Sequence, residues 1–365
     1  MRSAMRVLAL TAIGAAAFVP AAHAQDMDSV TFNGTTLWVG GGFQYLTLPD
    51  IKFTAKGKAD DVISGGRVDF HQKNSDFSEY GGGGGGGIET TLGNWGGWRV
   101  TGGVKGFFTS LEDSDNKGCQ ASNGNSCLFF DQSGVLLGIS NQFRSKTDRD
   151  VDYWGGQLEF KFGGGQPVQT KPNVYRNDYL IAGADIRGID QDIKIVNHAD
   201  NLPIDAPFFT YRETLDTTYY GGYIGFGGEY SFGFIPGVKN VGGLYDRLGL
   251  RTFINVKGGL YSAQTDYDGH THVELIDYNS RLSRSNEELA FIGTVSLETR
   301  KQIGPRTSLS LWTDYEYISS VPELHYSNKF NQTASIGEDD AFATRTMLRL
   351  NIGLGSQQLY QEPLK

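Results

Sequence analysis

LGLRTFINVKGGLYSAQ, the stretch from Leu248 to Gln264, alternates between two kinds of side chain. Apolar residues such as Leu250 and Ile254 occupy every second position, and polar or charged residues such as Arg251 and Lys257 lie between them. Because successive side chains of a strand point to opposite faces, the pattern predicts a strand with one apolar and one polar face. Globular strands usually have about five or six residues, whereas a tilted strand that crosses a bilayer needs about nine to eleven. The length of this stretch therefore favours a membrane strand.

The same long alternation recurs along the chain, and the count of predicted strands is about ten. They are Thr35–Thr47, Glu79–Leu92, Trp98–Thr109, Asp152–Phe162, Asp178–Ile189, Thr217–Phe232, Leu248–Gln264, Glu288–Lys301, Thr307–Ile318 and Ala341–Leu354. Long polar connections follow the odd-numbered strands and shorter ones follow the even-numbered strands, which is typical of long extracellular loops and short periplasmic turns. We predict an all-β fold, a closed antiparallel transmembrane β-barrel.

Two features leave the strand count open. Residues 51–70 are long enough to hide a further hairpin, and Asp178–Ile189 alternates weakly, so eight and twelve strands remain alternatives. The second predicted strand contains seven consecutive glycines, Gly81–Gly87. A flexible linker is one interpretation of such a run. We predict a strand, because Tyr80 and Ile88–Leu92 bracket the run and glycine permits the strong bending that a small closed barrel requires.

The chain begins with the parts of a secretory signal peptide. Arg2 and Arg6 form a positive amino-terminal region, Val7–Val19 is apolar, and Ala22–Ala24 provides small residues for cleavage. The apolar run is shorter than the roughly 20 residues of a spanning helix. We predict cleavage after Ala24. The rest, residues 25–365, is predicted to be a single barrel domain with its strands within 35–354 and a short tail at 355–365.

Composition agrees with an exported all-β protein and excludes some partners. The chain has 50 glycines and 12% aromatic residues. Its mean hydropathy of -0.34 is low for a membrane protein but agrees with a barrel, because half of the residues of each strand face a polar interior. A net charge of -9 argues against nucleic acid as a partner. Cys119 and Cys127 lie close together in a polar stretch, and in an oxidising compartment they are predicted to form a disulfide.

With these features the chain resembles bacterial outer-membrane β-barrel proteins, a porin-like class. The resemblance covers nearly the whole chain after residue 24 and rests on the strand pattern and the signal peptide. It implies the cell envelope of a Gram-negative bacterium and outer-membrane lipid around the barrel. The partners that it implies are small polar solutes or a surface ligand, and the oligomeric state stays open.

The inward faces of the predicted strands carry charges of both signs. They are Glu89, Arg99, Lys105, Glu159, Lys161, Asp185, Arg187, Glu229, Arg251, Lys257, Glu298, Arg300, Asp314, Glu316, Arg345 and Arg349. A barrel of about ten strands has little more interior than its side chains can fill. The set therefore predicts either a narrow water-filled channel or a hydrogen-bonded polar plug, and bulky Tyr153, Tyr219, Tyr223, Phe253 and Tyr261 on the same face favour narrowness.

Catalytic and metal sites have weaker support. The histidines after residue 24 lie nearly all in predicted loops, and no motif of a known outer-membrane protease is present. Asp266–His272 has metal-ligand residue types but lacks a full ligand set, so a solvated loop is expected there. We predict no enzyme activity, no cofactor and no metal.

Two functions from different classes remain. We predict an integral outer-membrane barrel that forms a narrow porin-like channel for small polar solutes. The alternative is a plugged structural or adhesive barrel that displays its surface loops. An outer-membrane hydrolase is kept as a third hypothesis.

Overall fold

The computed structural model consists of β-strands and their connections. It describes residues 34–51, 53–58, 64, 78–121, 125–140, 142–164, 168–171, 174–199, 208–231, 250–274, 276–304, 306–326 and 331–354. The predicted signal peptide and the tail at 355–365 lie outside these residues. Among the described residues, no helix is long and apolar enough to cross a membrane.

Ten long strands form the wall and four short strands accompany them. In chain order the strands are β1 (Thr35–Thr47), β2 (Thr54–Gly57), β3 (Ser78–Trp95), β4 (Trp98–Gln120), β5 (Ser126–Phe130), β6 (Leu136–Ser140), β7 (Gln142–Gly164), β8 (Val168–Lys171), β9 (Val174–Ala199), β10 (Phe209–Ser231), β11 (Leu250–Val273), β12 (Tyr278–Gly304), β13 (Thr307–His325) and β14 (Ser335–Leu354). Each of the ten predicted strands corresponds to one of the long strands.

The wall closes on itself. Each long strand pairs antiparallel with two neighbours in the order β1, β3, β4, β7, β9, β10, β11, β12, β13 and β14, and β14 returns to β1. The closing pair is in register from Thr35 opposite Leu354 to Thr47 opposite Phe342. The ring therefore has ten strands, which confirms the predicted barrel and removes eight and twelve as alternatives.

The strands are longer than the sequence pattern indicated. We predicted polar loops at 110–150 and 266–285, but β4 and β7 continue through about half of the first range, and a four-residue connection, 274–277, joins β11 to β12. That prediction was wrong because the apolar alternation marks only the part of a strand that faces lipid. Above the lipid, backbone hydrogen bonds continue the ladder whether or not one face is apolar.

The glycine run is part of the wall. Gly81–Gly87 lies within β3 and pairs on one side with β1 and on the other with β4, so the linker interpretation was wrong. A Cβ atom on Gly87 would lie 2.7 Å from Nε1 of Trp38, and one on Gly85 would lie 3.4 Å from the same ring. The inward glycines of β3 therefore leave the space that a large aromatic side chain of β1 occupies.

An apolar band surrounds the ring and ends at a line of carboxylates. Outward side chains in the band are exposed although they are apolar, as in Ile224 at 74%. On four neighbouring strands, β7, β9, β10 and β11, outward aspartates stand opposite one another. This aspartate rung consists of Asp152, Asp190, Asp216 and Asp266. Because charged side chains on the lipid face are destabilising, the rung marks the extracellular edge of the band.

A small sheet fills the barrel above this edge. β2, β5 and β6 pair antiparallel, and their side chains Leu128, Phe129 and Phe130 are buried. Phe129 belongs to a cluster with inward side chains of the wall, including Tyr211 and Tyr267. We call β2, β5, β6 and the β5–β6 turn the plug. Its position explains why a predicted outer loop is apolar at residues 128–130.

The lipid band gives a testable distinction between two outward positions. Arginine in place of Ile224 places a charge within the band and is expected to cost about 2–4 kcal/mol in the free energy of unfolding. Arginine in place of Val196, which is outward on β9 above the aspartate rung, is expected to change it by about 0.5 kcal/mol or less. Urea unfolding in lipid vesicles measures both. Equal costs would contradict the assigned edge.

Candidate functional site

The lumen contains the residues that the sequence analysis selected, and its centre is a buried arginine. Arg187 is 2% exposed, and its Nη2 donates to Oδ2 of Asp185 at 2.7 Å. Its Nη1 donates to a carboxylate oxygen of Glu316, which also accepts a hydrogen bond from the hydroxyl of Tyr153. The hydroxyl of Tyr261 donates to Asp185 at 3.3 Å. β7, β9, β11 and β13 thus contribute to one network across the lumen.

A second group converges on Glu159. Its Oε2 accepts hydrogen bonds from Nζ of Lys105 at 3.1 Å and from Nζ of Lys257 at 3.2 Å. The hydroxyl of Tyr223 donates to the same oxygen at 3.1 Å, and Nζ of Lys161 lies 3.9 Å from Oε1. One carboxylate therefore connects four strands, because β4, β7, β10 and β11 each supply a side chain.

Towards the periplasmic end the network separates into pairs. Three ion pairs lie there: Lys161 with Glu89, Arg300 with Glu298, and Arg251 with Glu229. The last pair is partly exposed, with side-chain exposures of 34% and 26%. Arg99 donates to the hydroxyl of Thr91 at 2.8 Å. These residues are nearer to water than the central groups are.

The remaining three predicted residues are Asp314 on β13 and Arg345 and Arg349 on β14. Nη2 of Arg345 donates to Oδ2 of Asp314 at 2.7 Å. The guanidinium of Arg349 lies between two indole rings, with its Cζ 3.0 Å from the ring centre of Trp312 and 4.0 Å from that of Trp38. The sixteen predicted residues thus lie on the inner face of the wall, with Arg99, Arg251 and Glu229 nearest the rim.

The filled lumen determines what the site can do. Side chains of both signs meet one another, as charges must when they leave bulk water. Two small cavities lined by described residues have about 10 and 20 Å³ of space for water. A space of that size holds a water molecule or two and no organic solute.

A buried carboxyl in the extracellular half was missed by the sequence analysis. Glu213 on β10 accepts hydrogen bonds from Nε2 of Gln132 at 2.7 Å, from the hydroxyl of Tyr267 at 2.8 Å and from the hydroxyl of Tyr326. Burial raises the pKa of Glu213 to about 8, against the opposing effect of these three donors. The alternation Tyr211, Glu213, Leu215 would have placed it inward if we had extended the strand above the lipid band.

These contacts attach the turn of the plug to the wall. Asp131 accepts hydrogen bonds from the backbone N–H of Val135 at 2.8 Å and from the hydroxyl of Tyr278 at 2.7 Å. The backbone N–H of Asn331 donates to the carbonyl of Gly134, which has a φ of 81°. The plug therefore contacts β12 and the β13–β14 connection as well as β10 and β11.

The disulfide lies beside the plug. Cys119 and Cys127 are joined and buried, and the bond connects the upper end of β4 to β5. The disulfide joins β5 of the plug covalently to the wall strand β4, so it limits how far the plug can move away from the wall. A disulfide at this place therefore supports the inward position of β5.

The metal-like segment is part of β11 and not a solvated loop. Its residues Asp266, Asp268, His270 and His272 lie outward, and Asp268 pairs with Arg281 at 2.6 Å. In the part of the chain that the structure describes, no three histidine, cysteine or carboxylate side chains converge as a metal site requires.

Comparisons with known proteins assign no family to this chain. No family model and no curated protein matches the chain. Among solved structures, the outer-membrane protease OmpT of Escherichia coli has 11% identity and a TM-score of 0.44, and the match covers 90% of this chain and 99% of that one. A FadL homologue of Pseudomonas aeruginosa has 6% identity and a TM-score of 0.25, with 88% and 90% covered. An anion-selective porin of Comamonas acidovorans has 10% identity and a TM-score of 0.17, with 88% and 98% covered. These names include a protease and a porin, so the likeness does not select a function. The chain is a closed antiparallel β-barrel of ten long strands.

The central arginine should be far more important for stability than a rim arginine. Methionine in place of Arg187 leaves Asp185 and Glu316 buried without their cation, which is expected to cost about 3–5 kcal/mol in the free energy of unfolding. The matched control, Arg251→Met, breaks a partly exposed pair and is expected to cost about 1 kcal/mol or less. Urea unfolding in lipid vesicles compares the two. Similar losses would mean that the central network does not hold the strands together.

The carboxyl of Glu213 predicts a pH dependence of stability. Its folded-state pKa of about 8 lies above the ordinary value of 4.5, so the folded state binds the extra proton between these values. Stability should therefore be greatest at or below about pH 4.5 and fall by about 1.4 kcal/mol per pH unit up to about pH 8. Glutamine in place of Glu213 should remove this slope.

Thermal unfolding between about pH 5 and pH 9 measures the slope. Glu287→Gln, on the exposed outer wall, provides the control and should leave the slope unchanged. A slope that survives in Glu213→Gln would assign it to another group.

Proposed function

We propose that this protein is a closed outer-membrane barrel with a structural role, which holds a rigid extracellular surface above the lipid. This is the alternative that the sequence left beside the porin-like channel. The observation that carries it is the filled lumen. The lumen has two barriers in series, the plug above the aspartate rung and the polar network within the lipid band.

The first barrier is apolar and well packed. Phe129 contacts Phe143 and Phe209 with ring centres 4.5 and 5.1 Å apart, and Tyr211 donates from its hydroxyl to the carbonyl of Phe130 at 2.8 Å. Aromatic pairs at these separations stabilise a core beyond the area that they bury. Within the described residues the plug is thus packed as a protein core is, which supports a barrier to hydrated solutes.

The second barrier is made of charges that already have partners. Arg187 binds Glu316 and Glu159 binds Lys257 across the lumen, and Asp314 binds Arg345 on the neighbouring strand. A passing ion would have to replace these contacts at the cost of leaving buried charges unpaired, which is several kcal/mol for each group. The mixed signs also give no ring of one charge that would select an ion.

The surface above the lipid is suited to presentation. β9 continues from Asp190 to Ala199, which is roughly 30 Å of strand at about 3.3 Å per residue. On its outer face a basic rung, formed by Lys194, Arg212, His270 and Arg281 in register on neighbouring strands, lies above the acidic rung. Rungs of opposite sign on one outer face would suit a charged surface ligand or the headgroups of outer-membrane lipid. The predicted export signal, with cleavage after Ala24, supports the outer membrane as the location.

Single-channel recording in planar bilayers tests the proposal. Purified, folded wild-type protein is expected to give no steady conductance, because both barriers are closed. The positive control lacks residues 126–140 and carries Cys119→Ser, Tyr153→Ala and Trp312→Ala, which removes β5, β6 and the turn of the plug and shortens two large side chains of the lumen. This control should conduct.

One outcome would replace the proposal with the channel hypothesis. It is a steady wild-type conductance whose ion selectivity changes in Lys257→Glu. Such a result would mean that water and ions pass between the charged side chains of the network.

A further inference from the structure

The larger of the two cavities lies within the polar network and has an excess of positive charge. Its charged lining residues are Lys105, Lys257, Arg345, Arg349, Asp314 and Glu316. It has about 20 Å³ of space for water. Four cations and two carboxylates therefore face a space that is large enough for one or two water-sized particles.

Three guanidinium nitrogens at this cavity have no hydrogen-bond partner among the described residues. They are Nε of Arg349 and both Nε and Nη1 of Arg345. Arg349 is 2% exposed and forms no ion pair with a described carboxylate. A buried cation without a partner is costly, because it has lost its water and gained no opposite charge. The donors therefore need an acceptor that the protein itself does not supply.

Aromatic rings restrict the direction of these donors, because the guanidinium of Arg345 lies over Phe107 and that of Arg349 lies over two indole rings. Trp38 and Trp312 lie with ring centres 6.2 Å apart, and the guanidinium of Arg349 occupies the space between them. Stacking on both faces leaves only the edge of the guanidinium plane open, and the N–H groups lie in that plane. The edge faces the cavity, so the site is preorganised to donate.

The charge balance of the surrounding network points to an anion and not only to water. Lys105 and Lys257 share the single carboxylate of Glu159, whereas Arg345 has Asp314 to itself. The network then contains five cations and four carboxylates. The cations are Lys105, Lys257, Arg187, Arg345 and Arg349, and the carboxylates are Glu159, Asp185, Asp314 and Glu316. One negative charge would make the network neutral.

We propose that the lumen binds one small monovalent anion, of the size of chloride, between Arg345 and Arg349. Its acceptor capacity satisfies the open guanidinium nitrogens, and its charge balances the network. Sulfate, phosphate and organic acids are too large for the cavity. The site goes beyond the structural role proposed above and does not depend on whether the barrel is closed, since an anion held by buried arginines is required in either case.

Bromide is the probe for the direct test, because it has the charge and nearly the size of chloride and scatters anomalously. Crystals of the wild-type protein grown in sodium bromide should give an anomalous peak in the cavity within hydrogen-bond distance of Arg345 and Arg349. A peak confined to the protein surface, or no peak, would overturn the proposal. Water alone in the cavity would do the same.

A solution measurement gives the matched comparison. Thermal unfolding in detergent is followed while chloride replaces gluconate at constant ionic strength, because gluconate is too large to enter. The wild-type melting temperature should rise with chloride and reach a plateau. Arg349→Gln should raise the chloride concentration at the midpoint by about tenfold or more, since a charged donor is lost.

Arg251→Gln is the control, because Arg251 lies at the rim and pairs with Glu229. It should keep the wild-type chloride response. Equal melting temperatures in chloride and gluconate for the wild type would overturn the proposal. The bromide crystals keep the test decisive if Arg349→Gln does not fold, because they use the wild-type protein.

Discussion

Backbone hydrogen bonding in lipid is the constraint on which the rest of this structure depends. Inside the hydrocarbon no water is present to pair with an exposed N–H or C=O group, so a sheet that spans the membrane must have no edge. The pairing of β1 with β14 removes the edge along all thirteen residues of β1. Closure at ten strands then fixes a narrow lumen, and the narrow lumen decides which side chains can point inward.

Very small side chains on one strand make room in the lumen for very large side chains on its neighbours. β3 contributes glycines at its inward positions, whereas β1 and β13 contribute Trp38 and Trp312 and β14 contributes Arg349. A strand with ordinary side chains in place of β3 would collide with this group, as the 2.7 Å approach at Gly87 indicates. The glycine run is therefore a packing requirement of the barrel and not a sign of flexibility. It also explains how a ten-stranded ring can hold so many charged and aromatic groups.

The polarity of the two strand faces differs between the extracellular half of the barrel and the half in lipid. Above the aspartate rung both faces of a strand can be polar, and yet the inward face is more apolar there, because it packs against the plug. Glu213 stands within this apolar environment and is held by two tyrosines and a glutamine of the plug turn. A protein built only to pass solutes would not need a second hydrophobic core above the membrane. That core is consistent with a role for the extracellular surface.

The sequence by itself determined the secondary structure class, the ten strands and the direction of each side chain in the lipid band. It could do so because lipid on one side and polar groups on the other impose a strict period of two, as in Leu248–Gln264. The pairing of Cys119 with Cys127 was also predictable, because the two cysteines are close in sequence and the predicted signal peptide places them in an oxidising compartment. The upper halves of the strands were not predictable in this way, since lipid no longer constrains their outer face.

Only the tertiary structure decided which charges meet. Lys105, Glu159 and Lys257 are far apart in the chain, and their convergence depends on the register of several strand pairs. The position of β5 inside the barrel and the burial of Glu213 depend on how the chain crosses the barrel mouth. No periodic pattern in the local sequence indicates that path. The sequence therefore predicted a polar interior, and only the tertiary structure determined how the side chains of that interior pack, because side-chain volume in a closed ring is a property of all ten strands together.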